Sequence, residues 1–297
     1  GEIPMYYDSM IAKLIVHGQD RNDAIQKMRA ALNAFVIRGV ESNIPFQAAL
    51  LGHPDFASGN FNTGFIAEHY PHGFHAEDVK HEDPDFLVAL AAYMHRRYRA
   101  RACGISGQMV GHEITVGEAF TVVVLGAEGK HVPHEVTVSD YVDGAGSSNV
   151  QVGGKSYKIS SSAHLGSIRV QGACNGMGFT AQIERGLPGQ PLALRVRHNG
   201  TQIDTLVLTP LRAQLFALMP YKAPPDMSKY VLSPMPGLLV QVAVKPGQKV
   251  QAGERVAVIE AMKMENVLFA SADGVVKEIK AAQGESLAVD QPIVEFE

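Results

Sequence analysis

The spacing of apolar residues changes character several times along this chain, and each change marks a boundary. The run Met5-Tyr6-Tyr7-Asp8-Ser9-Met10-Ile11-Ala12-Lys13-Leu14-Ile15-Val16 grows rich in large and β-branched residues and reads as a strand toward its end. Asp20 is a good N-cap, and after it apolar residues return at Ile25, Met28, Leu32 and Phe35, one face of a helix, until Gly39 supplies a stop. A second helix is expected over residues 45–51. A strand and two helices over residues 1–71 suit the tail of an α/β domain better than a unit that folds well alone.

Residues 72–82 shift to His, Gly and acidic residues and read as a connector. His69, His72 and His75 fall three apart and His81 follows, but Pro71 and Gly73 interrupt any helix there. No Cys or close carboxylate completes a ligand set, so no metal site is expected. Asp83-Pro84 then reads as N-cap and first position of a helix reaching about Ala102, with Phe86, Leu87, Leu90, Met94 and Tyr98 on one side. Arg96, Arg97, Arg99 and Arg101 crowd its last turns, where cations suit the helix dipole; a partner surface is the alternative. Over residues 112–218 the period drops to two in short segments at 119–125, 135–139, 156–160, 167–171, 179–184, 192–197 and 205–209. Turn signals at Gly144-Ala145-Gly146, Gly153-Gly154 and His198-Asn199-Gly200 separate them. One long helix followed by many strands, over residues 83–219, suggests an antiparallel barrel packed with or around that helix. Gly144 and Gly146 mark a turn and not a phosphate loop, since no helix pattern follows them.

Residues 220–230 form a polar, proline-bearing linker, expected to be extended and moderately stiff, and a separate unit follows at 231–297. Within that unit residues 233–260 lie over 270–297 at a constant offset of 37 with no gap. Gly237 falls on Gly274, Val240 on Lys277, Val242 on Ile279, Gly247 on Gly284, Val250 on Leu287, Val256 on Ile293 and Glu260 on Glu297. Glycines at turns and aliphatics mostly at strand positions predict two copies of one short β-meander, closed into a flattened pseudo-two-fold barrel. Lys263 lies in the link between the halves, so its long amine is expected at a hairpin tip, open to acylation. Met262 and Met264 place apolar side chains on both sides of that cation, which is costly in water unless another surface reads them.

Composition adds limits. A chain of 297 residues, 46% hydrophobic, suits two or three domains. A net charge of -4 leaves no basic excess for a nucleic-acid partner. Cys103 and Cys174 are too few for a disulfide scaffold and favour a reducing compartment. No apolar run approaches a membrane-spanning length. The opening Gly1-Glu2-Ile3-Pro4, without initiator Met or signal-like segment, reads as the middle of a longer polypeptide.

Ala261-Met262-Lys263-Met264 matches at every position the Ala-Met-Lys-Met attachment motif of biotin carboxyl carrier domains, which residues 231–297 resemble. Ser233-Pro234-Met235-Pro236-Gly237 looks like the start of the same domains. The resemblance implies biotin joined to Lys263, flanked by Ala261, Met262 and Met264. Lipoyl carrier domains share the barrel but usually place Asp before the lysine and a small residue after it. Residues 1–71 are similar to the end of the ATP-grasp-type biotin carboxylase domain, through Tyr6-Tyr7-Asp8-Ser9-Met10-Ile11-Ala12-Lys13-Leu14 and Gly39-Val40-Glu41-Ser42-Asn43-Ile44. In that family the core using ATP, magnesium and bicarbonate lies upstream, so no catalytic residue is expected here and this chain alone should not hydrolyse ATP. Residues 83–219, through Tyr93-Met94-His95-Arg96-Arg97-Tyr98 and Ile105-Ser106-Gly107-Gln108, look most like the mediating BT domain of propionyl-CoA carboxylase alpha subunits.

The whole order resembles the alpha subunits of biotin-dependent acyl-CoA carboxylases, ligases that form C–C bonds. The resemblance implies a multidomain, mainly β chain in a hetero-oligomer, docked on a carboxyltransferase beta subunit and served by a biotin protein ligase. It implies an acyl-CoA substrate held on that partner, propionyl-CoA giving methylmalonyl-CoA, with 3-methylcrotonyl-CoA, acetyl-CoA or a broad range as alternatives. No nucleic acid and no membrane are expected; the compartment would be the cytoplasm in a bacterium and the mitochondrial matrix in a eukaryote.

Overall fold

The computed structural model describes residues 10, 12–38, 40, 42–75, 78–142, 146–221, 227–261 and 264–297, in two units divided between Tyr221 and Lys222. The first unit opens with four helices, α1 (Arg21–Ala34), α2 (Ile44–Gly52), α3 (Pro54–Ser58) and α4 (Phe65–His69). Asp20 caps α1 as expected, its carboxylate accepting from the Asp23 amide at 2.8 Å. The strand expected toward Val16 does not form among the described residues 12–16. Ile15 lies 82% exposed there, where a lone β-run has no sheet to join. Residues 1–9 and 11 lie outside the described residues.

The expected connector is partly docked. His81 Nε2 lies 2.8 Å from His198 Nδ1, and Glu82 pairs with Arg29 and accepts from Asn199 Nδ2 at 3.0 Å. Burial pushes the His81 and His198 imidazoles below their usual range. From the other side Gln182 Nε2 donates to the carbonyls of Asn33 and Phe35, at 3.0 and 3.1 Å, so the end of α1 rests on the wall that follows.

That wall is a closed antiparallel barrel of eight strands in sequence order: β1 (Ala119–Val124), β2 (Val132–Val142), β3 (Ser147–Val152), β4 (Lys155–Ser160), β5 (Arg169–Cys174), β6 (Met177–Leu187), β7 (Gln190–His198) and β8 (Thr201–Leu208). Three hairpins turn on residue pairs with positive φ, Gly153-Gly154, Asn175-Gly176 and Asn199-Gly200. Two such residues match the strand twist, which is why Gly and Asn stand there. Helix α5 (Pro84–Cys103) runs inside the barrel. Its residues from Phe86 to Met94 are all buried, against Val122, Val138, Val150, Ile159, Val170, Ala181 and Val196. The sequence predicts an apolar stripe on this helix; the segment from Phe86 to Met94 is instead apolar all round, as an enclosed stretch of helix must be, and the basic second half emerges from the wall. Ala89, Ala91 and Ala92 keep the enclosed stretch slim enough for an eight-stranded wall.

Both ends of α5 are tied to the wall. Asp83 holds the N-cap position but makes no side-chain cap bond; its carboxylate receives Lys155 Nζ at 2.7 Å and the Tyr157 hydroxyl at 2.8 and 2.9 Å. Burial opposes its ionisation, yet these donors hold the carboxyl below the usual range. Further along, the buried Tyr93 hydroxyl donates to the Gly146 carbonyl, and Arg97 donates to the Ala163 carbonyl at 2.9 Å. Arg96 lies over the Tyr141 ring at 4.5 Å. Two of the four arginines expected as dipole caps thus bind the barrel rim.

The ladder is thinnest between β4 and β5, where Ile159 pairs with Cys174 and Ser160 with Ala173. There the Asn175 side chain accepts from the Lys158 amide at 2.8 Å, standing in for a strand. Gly172 lacks the Cβ that would meet the Ser160 carbonyl at 2.2 Å. Outside the barrel, α6 (Pro210–Ala217) lays Phe216 against Val123, Leu187, Ala193 and Leu206.

The second unit holds β9 (Tyr230–Leu232), β10 (Gly237–Val242), β11 (Lys249–Val250), β12 (Arg255–Ala261), β13 (Met264–Phe269), β14 (Gly274–Ile279), β15 (Ser286–Leu287) and β16 (Pro292–Phe296). They form two four-stranded sheets, ordered β13-β12-β10-β15 and β11-β14-β16-β9. The offset of 37 residues carries β10 onto β14, β11 onto β15 and β12 onto β16, so each sheet is the image of the other. Irregularities repeat too: the register shifts between Leu239 and Gln241 and again between Val276 and Glu278. The Gly247 amide donates to the Val276 carbonyl at 2.7 Å, and the Gly284 amide returns the bond to Leu239 at 2.8 Å. Leu239, Val250, Val256 and Ile259 from one half meet Val276, Leu287 and Ile293 from the other in one core.

Candidate modification site

In the second unit, β12 buries Val256, Ala257 and Ile259 and then leaves the core at Glu260 and Ala261. Its neighbour β13 pairs with it in register, Glu265 opposite Glu260 and Met264 opposite Ala261. Two residues, Met262 and Lys263, separate Ala261 from Met264 in sequence, and both lie outside the described residues. Met264 is 68% exposed, a large apolar side chain in water. Glu260 and Glu265, both exposed, form a like-charge cross-strand pair, which costs stability unless a partner supplies cations.

A second segment braces this hairpin. Gly237 opens β10 beside the end of β12, where an added Cβ would lie 2.6 Å from the Glu260 carbonyl and 3.3 Å from the Ala261 Cβ. Only glycine admits that approach. Ser233 is fully buried, its hydroxyl donating to the Met235 carbonyl at 2.7 Å and its amide to the Gln291 carbonyl at 3.0 Å. The turn so fixed brings Met235 Sδ within 3.6 Å of Asn266 Nδ2 on β13. The motif Ser233 to Gly237 was legible in sequence as a domain start; its role as a brace was not, because it depends on a contact across the fold.

The two halves differ where it matters. Lys277 and Lys280 both bind Glu295, and their hydrogen bonds hold its carboxyl below the usual range. Subtracting 37 places Val240, Ala243 and Val258 at the corresponding positions of the hairpin half, which carries no such network.

Elsewhere the structure separates the histidines that sequence spacing grouped. His81 meets His198, His69 meets His53 and Asp55, and His72 and His75 lie exposed. A cavity of about 720 Å³ opens between α1 and the Asp83 end of the barrel, beside Arg29, His81, Asp83, Tyr157, Cys174 and His198. Most of these polar groups are already bound to one another, which makes the cavity a packing seam. Among the described residues no helix is long and apolar enough to cross a membrane.

Three family models match in succession: "Biotin carboxylase C-terminal domain" over residues 1–68, "Propionyl-coenzyme A carboxylase BT domain" over 87–222 and "Biotin-requiring enzyme" over 229–296. A propionyl-CoA carboxylase alpha chain of Ruegeria pomeroyi is 42% identical over this whole chain, which covers 42% of that relative. The mitochondrial propionyl-CoA carboxylase alpha chain of Caenorhabditis briggsae is 36% identical over 91% of this chain and 37% of its own length. A mitochondrial methylcrotonoyl-CoA carboxylase subunit alpha of Mus musculus is 26% identical over this whole chain and 41% of its own. The chain thus spans about two fifths of the length of the curated relatives it matches. It carries, in this order, the end of a biotin carboxylase domain, a BT domain and a biotin-requiring domain, as biotin-dependent acyl-CoA carboxylase alpha chains do.

Proposed function

We propose that this chain is the biotin-bearing part of an acyl-CoA carboxylase, with biotin in amide linkage to the side-chain nitrogen of Lys263. The observation that carries the reading is the register of Ala261 with Met264, which leaves only Met262 and Lys263 between two paired strands. Biotin attached there supplies a ureido nitrogen that accepts a carboxyl group at one site and releases it at another. Lys263 itself moves no proton; its amide is a neutral tether. The braced ends of β12 and β13 hold that tether at the edge of a rigid unit, beside the exposed Met264 and the Glu260 and Glu265 pair. Those three side chains offer a biotin protein ligase an apolar contact ringed by carboxylates.

In this reading residues 1–71 complete a biotin carboxylase domain, 72–82 connect, 83–219 mediate subunit contact, 220–230 link and 231–297 carry biotin. The barrel docks on a carboxyltransferase beta subunit through the loop after α5, where Ile105, Met109 and Val110 are exposed large hydrophobics. Propionyl-CoA is the favoured substrate, because relatives named for it are 31–42% identical whereas the methylcrotonoyl-CoA relative is 26% identical.

The test is an intact-mass spectrum after co-expression with a biotin protein ligase, beside Lys263→Arg. One biotinyl group on the parent and none on the variant is expected. Biotin on both, or on neither with the fold intact, refutes the assignment. The isolated chain should show no bicarbonate-dependent ATP hydrolysis.

A further inference from the structure

We propose that His53, Asp55 and His69 form a binding site for a divalent transition metal of the zinc class. The three come from short elements of the first unit: His53 caps α3, Asp55 stands in its first turn and His69 ends α4. One ligand atom of each lies within 4.8 Å of the other two. His69 Nε2 is 3.6 Å, and His53 Nδ1 3.8 Å, from the same carboxylate oxygen, Asp55 Oδ2. Both distances are too long for a hydrogen bond. Ligand atoms around a tetrahedral zinc ion, at bonds of about 2.0–2.1 Å, stand on the order of 3.4 Å apart, so the two histidine–carboxylate separations close by a few tenths of an ångström, while the widest separation of the set, up to 4.8 Å, needs a side-chain rotation to bring it in.

The protonation pattern points the same way. The Asp55 amide donates to His53 Nδ1 at 3.2 Å, which leaves the lone pair on Nδ1 and puts the proton on Nε2. That lone pair is directed at the Asp55 amide, and the Asp55 carboxylate oxygen lies 3.8 Å from the same nitrogen. An ion there takes over the lone pair and replaces one long hydrogen bond.

The imidazoles are also set in place. Their rings lie 4.2 Å apart, and both rest on the buried Phe65, at 5.0 Å from His53 and 4.4 Å from His69. Two imidazole nitrogens and one carboxylate select zinc, nickel, cobalt or iron(II) over magnesium and calcium, which require oxygen ligands. Three protein ligands leave a fourth position to water. The bound ion would clamp α3 to α4.

The experiment uses the whole 297-residue chain, freed of metal and titrated at neutral pH with Co²⁺ as optical probe, then with Zn²⁺ by calorimetry. One tight equivalent with a visible ligand-field spectrum is expected, unaffected by excess Mg²⁺. Asp55→Asn and His69→Gln, with far-UV circular dichroism unchanged, should weaken binding at least about tenfold, since loss even of an outer-shell partner costs that much. Undiminished binding in Asp55→Asn, which preserves the shape of the side chain, overturns the proposal, as does the absence of a Co²⁺ spectrum in the parent.

Discussion

Acid should weaken the barrel unit through His95, and the size of the effect follows from its surroundings. His95 sits half-buried on α5, edge-on to the Phe120 ring at 5.6 Å. Burial first, then the guanidinium charges of Arg99, Arg185 and Arg212, push its pKa from 6.5 down to about 4. Between those two values the unfolded chain binds a proton that the folded chain refuses. The stability contributed by the neutral imidazole is therefore complete above about pH 6.5 and is lost as the pH falls toward about 4. Weighting the two states gives a loss of about 2 kcal/mol between about pH 7 and about pH 5, rising to about 3 kcal/mol below pH 4.

His95→Gln keeps a polar side chain and removes the titration. Urea unfolding of both proteins at each pH, followed by far-UV circular dichroism and tyrosine fluorescence, measures the difference; the chain has no tryptophan, and Tyr93, Tyr98, Tyr141 and Tyr157 report on the barrel. His198, lowered to about 4 by burial and then by His81, titrates in both proteins and cancels. The parent should lose about 2 kcal/mol more than the variant on acidification. Equal losses would show that His95 is hydrated when folded and would refute the account.

Leu90→Ala removes a fully buried side chain from inside a closed wall that has little room to collapse, and should cost about 3–5 kcal/mol, read as a lower denaturation midpoint. Gly237→Ala drives a Cβ to 2.6 Å from the Glu260 carbonyl and should destabilise the second unit by about 1–3 kcal/mol in thermal unfolding, with the barrel transition unmoved.

The parts of this fold that were legible in sequence are those whose signals are local. Asp20 and its helix need only their own backbone, and the offset of 37 is a repeat that each half satisfies by itself. What stayed hidden depends on neighbours distant in sequence. Strand β3 carries a weak signal in sequence because Ser148, one of its buried positions, is polar and breaks the alternation. The enclosure of α5 did have a signal, nine consecutive apolar residues from Phe86 to Met94, but counting a stripe overlooks small alanines on the other faces. The run ending at Val16 carries strand-like residues, yet its described residues pair with no strand among the described residues. Sequence spacing groups His69 with His72 and His75, whereas folding brings it to His53 and Asp55. For Lys263 the residues themselves, and the register of the strands flanking it, carry the assignment.

The thin join between β4 and β5 bears on how the first unit comes together. A closed ring cannot be slipped over a finished rod, so α5, which precedes every strand of the barrel in sequence, has to be wrapped. Its helix can form early from local contacts, while the hydrogen bonds that seal β1 to β8 span the whole wall and come late. Once sealed, the ring should breathe where two paired residues and the backbone and side chain of Asn175 do the work of a ladder. Amide hydrogens of the enclosed residues from Phe86 to Met94 would then exchange with solvent at a rate set by that gate in the wall, and not by fraying of the helix that carries them.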